Sequence, residues 1–118
     1  MTFSLALPVA AQDVQWNLVD TGVAMHSVHG RGAEMRIQPI PVPEGLFQDE
    51  RLDGLMHGLC NHFAPLVIPH LKKNMDIETF DFISVRIVSG GVFGRFVLTA
   101  YEITEDGCGD PLLAYDPQ

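Results

Sequence analysis

The chain has 118 residues, of which 47% are hydrophobic and 19% are charged, and this balance is typical of one folded domain rather than of a disordered segment. It carries 7 Lys and Arg against 15 Asp and Glu, and the net charge of -8 disfavours binding to phosphate backbones or to anionic lipid. We therefore expect a single domain over residues 1–118 that binds neither nucleic acid nor a membrane.

The first residues and the cysteines bear on the compartment. Residues 3–11 are apolar and end in Val-Ala-Ala, which resembles a small-residue cleavage site. No Lys or Arg precedes this run and Pro8 interrupts it, so a signal peptide is disfavoured. No other run approaches the roughly 18 apolar residues of a membrane helix. We predict a cytoplasmic location, and we predict that Cys60 and Cys108 are free thiols rather than a disulfide framework.

Three segments before residue 40 alternate apolar and polar residues, which is the pattern of half-buried strands. They are residues 3–7, residues 14–18 continued by 23–25, and residues 33–38. The turn-forming residues 20–22 (Asp-Thr-Gly) divide the second segment, so we predict a hairpin there. Prolines at 39, 41 and 43 then predict a stiff, extended connector that pairs only weakly, at an edge.

Residues 52–66 predict the main helix. Apolar residues recur at intervals of three and four and form one stripe, at Leu52, Leu55, Met56, Leu59, Phe63 and Leu66. Acidic residues at 49 and 50 precede this stripe, where the helix dipole favours negative charge. Pro65 lacks the N–H of a helical hydrogen bond, so we expect the helix to break or kink there and a second piece to end near residues 72–74.

Residues 80–89 and 92–103 are rich in β-branched and aromatic residues, and the Gly-Gly pair between them predicts a tight hairpin turn. A two-residue turn sets the pairing of the two strands and gives them one apolar face, on which the helix stripe can pack. On that face Ile83 lies opposite Leu98, Val85 opposite Phe96, and Ile87 opposite Gly94. The predicted fold class is therefore α+β: antiparallel sheet or sheets with one main amphipathic helix packed on one face, in the order β-strands, helix, β-hairpin.

The stretch MHGLCNHF, residues 56–63, is the strongest candidate for chemistry because it holds His57, Cys60 and His62. At about 100° per residue from Leu52, Cys60 lies at about 80°, His57 at about 140° and His62 at about 280°. The three side chains do not converge, so a metal site would need Cys108 or the histidines at 26 and 29. We interpret Cys60 as a residue flanking the core. Two weaker alternatives are a ligand pocket at His57 and Cys60 and a metal-binding domain built from histidines and Cys60.

The predicted register brings Arg86 directly opposite Arg95 across the hairpin. Two like charges in this position cost stability unless an anion neutralises them. The anion can be a carboxylate of this chain, which the acidic C-terminal segment 102–118 could supply, or an acidic group of a ligand or partner held by the guanidinium forks. Arg86 and Arg95 are therefore predicted to form an anion-binding or partner-binding site.

The outward face of the same hairpin carries more apolar side chains than a monomer leaves exposed. They are Phe80, Phe82, Val88, Phe93, Val97 and Tyr101. Either the N-terminal strands cover this face, or a second copy or another protein packs against it. These six residues are the predicted interface.

Charge and patterning together favour a non-enzymatic interaction protein. We expect an acidic accessory or inhibitor-type subunit that self-associates and whose charge steers a basic protein partner. Bacterial immunity proteins and phage-encoded inhibitors share this profile by analogy, not through a motif. No glycine-rich phosphate loop, catalytic carboxylate pair or assisted nucleophile is identified, so we assign no catalytic residue and no cofactor. The alternative is a small-molecule-binding or enzymatic domain with a pocket between helix and sheet, lined by His57, Cys60, Arg86 and Arg95.

Overall fold

A computed structural model describes residues 2–7, 12–90, 94–105 and 107–112 of the chain, with side chains from Val14 onward. The elements are β1 (Thr2–Leu7), β2 (Gln12–His26), β3 (Gly30–Ile40), α1 (Leu52–Met75), β4 (Phe82–Val88), β5 (Phe96–Thr104) and β6 (Gly107–Pro111). The six strands form one sheet in the order β1-β2-β3-β4-β5-β6. The predicted α+β class is confirmed. The sheet is mixed rather than antiparallel, and a further strand follows the expected hairpin.

The parallel pairing of β3 and β4 follows from the crossover that α1 provides. After β3 the chain passes through a short 3-10 turn at Leu46–Gln48, runs along one face of the sheet as α1, and re-enters the sheet as β4. Such a connection returns the next strand in the same direction, whereas a tight hairpin reverses it. The inner faces of β3 and β4 therefore lie beneath the helix, with Met35, Ile37, Val85 and Ile87 fully buried in the shared core.

Helix α1 is one continuous element of 24 residues, so it does not break at Pro65; it ends at Met75, close to the expected end near residues 72–74. Its buried stripe is Leu52, Met56, Leu59, Cys60, Phe63, Ala64, Val67 and Leu71. Burial on both sides of Pro65 offsets the missing hydrogen bond, since each fully buried large apolar side chain contributes roughly 1.5–3 kcal/mol. Leu66 is 45% exposed because the stripe passes through Val67 instead. Within the described residues, no helix is long and apolar enough to cross a membrane.

Strand β2 is a single strand of 15 residues, so the hairpin predicted at residues 20–22 is wrong. β3 is long enough to pair with both halves of β2, from His26 opposite Gly30 to Gln15 opposite Ile40. The irregularity in the sequence pattern is instead a bulge between Leu18 and Asp20, which leaves Val19 as the extra residue. Among the described residues, the neighbouring β1 pairs with Gln12–Asn17 of β2.

The β4–β5 register differs from the predicted one. Val85 lies opposite Thr99 rather than Phe96, a shift of three residues, because the connection is longer than a two-residue turn and closes where the Ser89 N–H donates to the Arg95 carbonyl at 2.9 Å. An odd shift turns every β5 side chain to the other face. Val97 and Tyr101 therefore face the helix, whereas Phe96 faces away from it.

The chain itself covers part of the face opposite α1. Phe82 lies on this face and is fully buried, as are Ser84 and Ala100. The Phe82 ring lies across Gly32 of β3, where a side chain would occupy the same space. The rings of His26 and His29 pack edge-on at 6.5 Å from Phe82, centroid to centroid. This end of the outward face is therefore closed without a partner.

Replacing Gly32 by alanine is expected to destabilise the fold. A Cβ at this position would overlap the Phe82 ring, so one of the two must shift, at a cost of roughly 1–3 kcal/mol. Gly22→Ala is the matched control, since Gly22 lies on the adjacent strand and its added Cβ would meet nothing within 4 Å. Urea unfolding midpoints measure the difference, and equal midpoints for the two variants would contradict the placement of Phe82.

Candidate functional site

The stretch at residues 56–63 lies in the first half of α1 and faces the last strand of the sheet. Cys60 forms a disulfide with Cys108 of β6, with the two Cα atoms 6.1 Å apart and a sequence separation of 48. The prediction of free thiols is therefore wrong, and neither cysteine is left as a nucleophile or a metal ligand. A pairing across 48 residues carries no local pattern, which is why the sequence did not reveal it.

Hydrogen bonds around the disulfide form a closed ring. The His57 Nε2–H donates to the Cys108 carbonyl at 2.8 Å, and the Cys108 N–H donates to Asn61 Oδ1 at 2.8 Å. Asn61 Nδ2 lies 3.3 Å from His57 Nδ1 and donates to it. Because a carbonyl only accepts and an amide NH₂ only donates, His57 carries its proton on Nε2 and none on Nδ1. We call His57, Cys60, Asn61 and Cys108 the β6 clasp.

The surroundings of the β6 clasp indicate a structural role. The His57 ring packs edge-on against Tyr101, with centroids 5.3 Å apart. Burial, and to a lesser extent the negative charge of Asp53, raises the pKa of Tyr101 to about 12, so the phenol stays protonated at neutral pH and is no base. His62 is exposed and its ring contacts Phe63, so it does not join the clasp. Among the described residues, no group of three His, Cys, Asp or Glu side chains could hold a metal ion.

The structure separates the two arginines that the sequence placed together. Arg86 lies opposite Leu98, and its Nη2 donates to Glu34 Oε1 on β3 at 3.3 Å. Its guanidinium carbon also lies 4.6 Å from the centre of the Phe96 ring. The predicted like-charge pair with Arg95 is therefore wrong, because it depended on the two-residue turn. An internal carboxylate does pair with Arg86, and it belongs to Glu34 of β3.

Arg95 lies at the end of the β4–β5 hairpin and is exposed. Its backbone is fixed to Ser89 in both directions, since Arg95 N–H donates to Ser89 Oγ at 2.7 Å and Ser89 N–H donates to the Arg95 carbonyl at 2.9 Å. The side chain borders an open groove of about 450 Å³ beside the 3-10 turn. We call this the Arg95 groove; its lining residues are Phe47, Gln48, Gly94, Arg95, Phe96 and Val97.

A second groove follows the bulged half of β2. From Leu18 to His26, no described strand pairs with the side of β2 that faces away from β3. We call this segment the β2 edge. Beside it, the bulge and the second half of α1 enclose about 450 Å³, lined by Leu18, Val19, Asp20, Thr21, Leu66, Val67 and His70. Val19 is 50% exposed and Leu66 is 45% exposed, so the groove has an apolar rim in contact with solvent.

The predicted interface residues do not form one outward surface. Phe80, Val97 and Tyr101 pack with the core beneath α1, and Phe82 is buried on the opposite face. Val88 is half-buried opposite Phe96. Phe93 lies outside the described residues. Sequence reasoning missed Asn61 and the β2 edge. The alternation of apolar and polar residues in β2 is interrupted near Val19, and this interruption could have indicated the bulge.

Comparison with known proteins gives no family. No protein-family model matches the chain, and no significant match is found among curated proteins or among solved structures. The two grooves and the β6 clasp are therefore the features that bear on function.

Replacing Asn61 by alanine is expected to weaken the attachment of β6 to α1. The change removes the acceptor of the Cys108 N–H and the donor to His57 Nδ1, at a cost of about 1 kcal/mol because the site is partly open to water. Asn74→Ala is the matched control, since Asn74 is an exposed residue of the same helix whose amide lies within hydrogen-bond distance of the His70 ring and not of β6 as described. Hydrogen exchange of the β6 amides should accelerate in the Asn61 variant alone. Equal exchange in both variants would contradict the ring of hydrogen bonds.

Reduction of the disulfide is expected to lower the free energy of unfolding by up to about 4 kcal/mol, because the bond closes a loop of 48 residues and restricts the unfolded chain. Urea unfolding with and without a phosphine reductant measures the loss. A thiol reagent added to the unfolded, unreduced protein is the control and should find no reactive thiol. Two reactive thiols per chain before reduction would show that the bond does not form.

Proposed function

We propose that this chain is a non-enzymatic interaction protein, an acidic accessory or inhibitor-type subunit that self-associates through the β2 edge. The observation that carries the proposal is the run of nine strand residues, Leu18 to His26, with no described neighbour on one side. Unpaired backbone N–H and C=O groups in such an edge recruit another strand. The β2 edge holds neither lysine nor proline, the residues that commonly block edge pairing.

The side chains of the β2 edge suit a second copy of the same strand. In an antiparallel pairing centred on Gly22, Val19 of one copy lies opposite Met25 of the other. These side chains are 50% and 66% exposed in the single chain, so pairing removes apolar surface from water. Glycine faces glycine at the axis, and Asp20 faces Ala24, so no like charges meet. The net charge of -8 then remains on the outer surface, where it favours a basic protein partner.

The disulfide bears on where this binding takes place. A cytoplasmic location stays a prediction, and the Cys60–Cys108 bond argues against it, because disulfides persist in oxidising compartments and are rare in the cytosol. We propose that the protein acts where this bond is stable.

The other candidate functions have less support. A pocket lined jointly by His57, Cys60, Arg86 and Arg95 is disfavoured, because the first two hold β6, Arg86 lies on the face away from α1, and Arg95 lies at the hairpin end. A metal-binding function finds no ligand group among the described residues. No specific observation favours either one.

The test is the oligomeric state of variants of the β2 edge. Val19→Lys places a charge on the pairing edge and is expected to weaken self-association by about tenfold or more. Met75→Lys is the control, since Met75 is 54% exposed at the far end of α1. Sedimentation equilibrium over a range of concentrations measures both. A wild-type chain that stays monomeric at every concentration, or a dimer that Val19→Lys leaves intact, would contradict the proposal.

A further inference from the structure

Arg95 differs from the other arginines in its surroundings. Arg36 pairs with Asp20, Arg51 with Asp49, and Arg86 with Glu34, at N–O separations of 4.0, 3.2 and 3.3 Å. Arg31 reaches a backbone carbonyl, that of Thr79, at 3.5 Å. Within the described residues, no carboxylate lies within ion-pair distance of the Arg95 guanidinium. Arg31 also lacks a carboxylate partner but has the Thr79 carbonyl, whereas the described residues supply the Arg95 guanidinium with neither.

The groove beside Arg95 supplies apolar contact as well as charge. Phe47 is half-buried and packs against the core, so its ring is a fixed wall. Phe96 is 51% exposed, yet the guanidinium of Arg86 lies 4.6 Å from its ring centre, and Glu34 in turn holds Arg86. Exposed Phe96 is thus held in position. Phe47, Arg95 and Phe96 all line the same open groove.

The openness of the groove selects the kind of ligand. Small-molecule sites bury roughly 70–90% of their ligand, which a groove with a half-exposed wall cannot do. A side chain belonging to a larger partner needs less enclosure, because other contacts hold the partner in place. The guanidinium fork matches a planar carboxylate with two parallel hydrogen bonds. An acidic group is therefore selected locally, although the chain as a whole repels acids.

We propose that the Arg95 groove binds a short segment of a protein partner in which a carboxylate side chain lies next to an aromatic one. The carboxylate accepts from the Arg95 guanidinium, and the aromatic ring packs between Phe47 and Phe96. This proposal rests on the proposed function, because both require that the chain binds proteins. The surfaces differ: the Arg95 groove lies at β5, toward the edge of the sheet opposite to the β2 edge.

Peptide titration with an NMR readout tests this site. The probe is a capped pentapeptide with a Phe-Glu pair between glycines, and its control carries Phe-Gln. The acidic peptide is expected to shift the amide signals of Gln48, Arg95 and Phe96 and to bind about threefold to fivefold more tightly than the control, as suits an exposed ion pair. Arg95→Gln should abolish this preference, and Arg95→Lys should restore part of it. Arg51→Gln, which removes a paired arginine outside the groove, should leave it unchanged.

Each other outcome overturns the proposal. Equal binding of the two peptides, a preference that survives Arg95→Gln, or no shift at these residues at millimolar peptide excludes the site. Phenylacetate binding as tightly as the acidic peptide would assign the groove to a small molecule. Shifts of the Gln48, Arg95 and Phe96 amides that depend on protein concentration without peptide, and that persist in Val19→Lys, would assign the groove to a second copy. Repeating the titration on Val19→Lys separates the two proposals, because that variant should lose self-association and keep peptide binding.

Discussion

The packing of α1 against β3 and β4 is the interaction on which the rest of the structure depends. Burial of the helix stripe requires the chain to cross over the sheet, and this crossover makes β3 and β4 parallel neighbours. The parallel register then sets Glu34 near Arg86 on the outward face. It also leaves Cys60 facing the end of the sheet where β6 pairs with β5. The charge pairs and the disulfide are consequences of where the apolar stripe is buried.

The local sequence pattern was sufficient to predict those elements whose own residues repeat with a clear period. The helical stripe and the inner faces of β3 and β4 repeat over many residues, so their periods predict both type and orientation. The prediction of which β5 side chains face the helix was wrong, because that choice depends on the length of the β4–β5 loop. Two adjacent glycines are compatible with loops of several lengths. The turn residues 20–22 continue a strand because β3 offers them partners. Tertiary pairing overrides local preference at both places.

The candidate sites were harder to predict because their partners are distant in sequence. Helix geometry set His62 apart from His57 and Cys60, but nothing local indicated that β6 meets them. β6, with the sequence Gly-Cys-Gly-Asp-Pro, has no alternation and few strand-forming residues, so only its contacts define it as a strand. Arg95 was singled out for a like-charge contact that does not exist. Its interest now comes from the lack of an acid near its guanidinium among the described residues, which only the fold reveals.

The contrast between the two borders of the sheet has a consequence for assembly. β6 is five residues long, ends in Asp110 and Pro111, and is covalently tied to α1, so it is a poor template for another strand. The bulged half of β2 is longer, holds no proline and is not covalently tied to the helix. A head-to-tail contact between unlike borders would propagate without end, whereas a contact between like borders closes on itself. For the self-association proposed above, the covalent tie between β6 and α1 favours a contact between two β2 edges, which closes as a two-fold symmetric dimer, over an open-ended fibre.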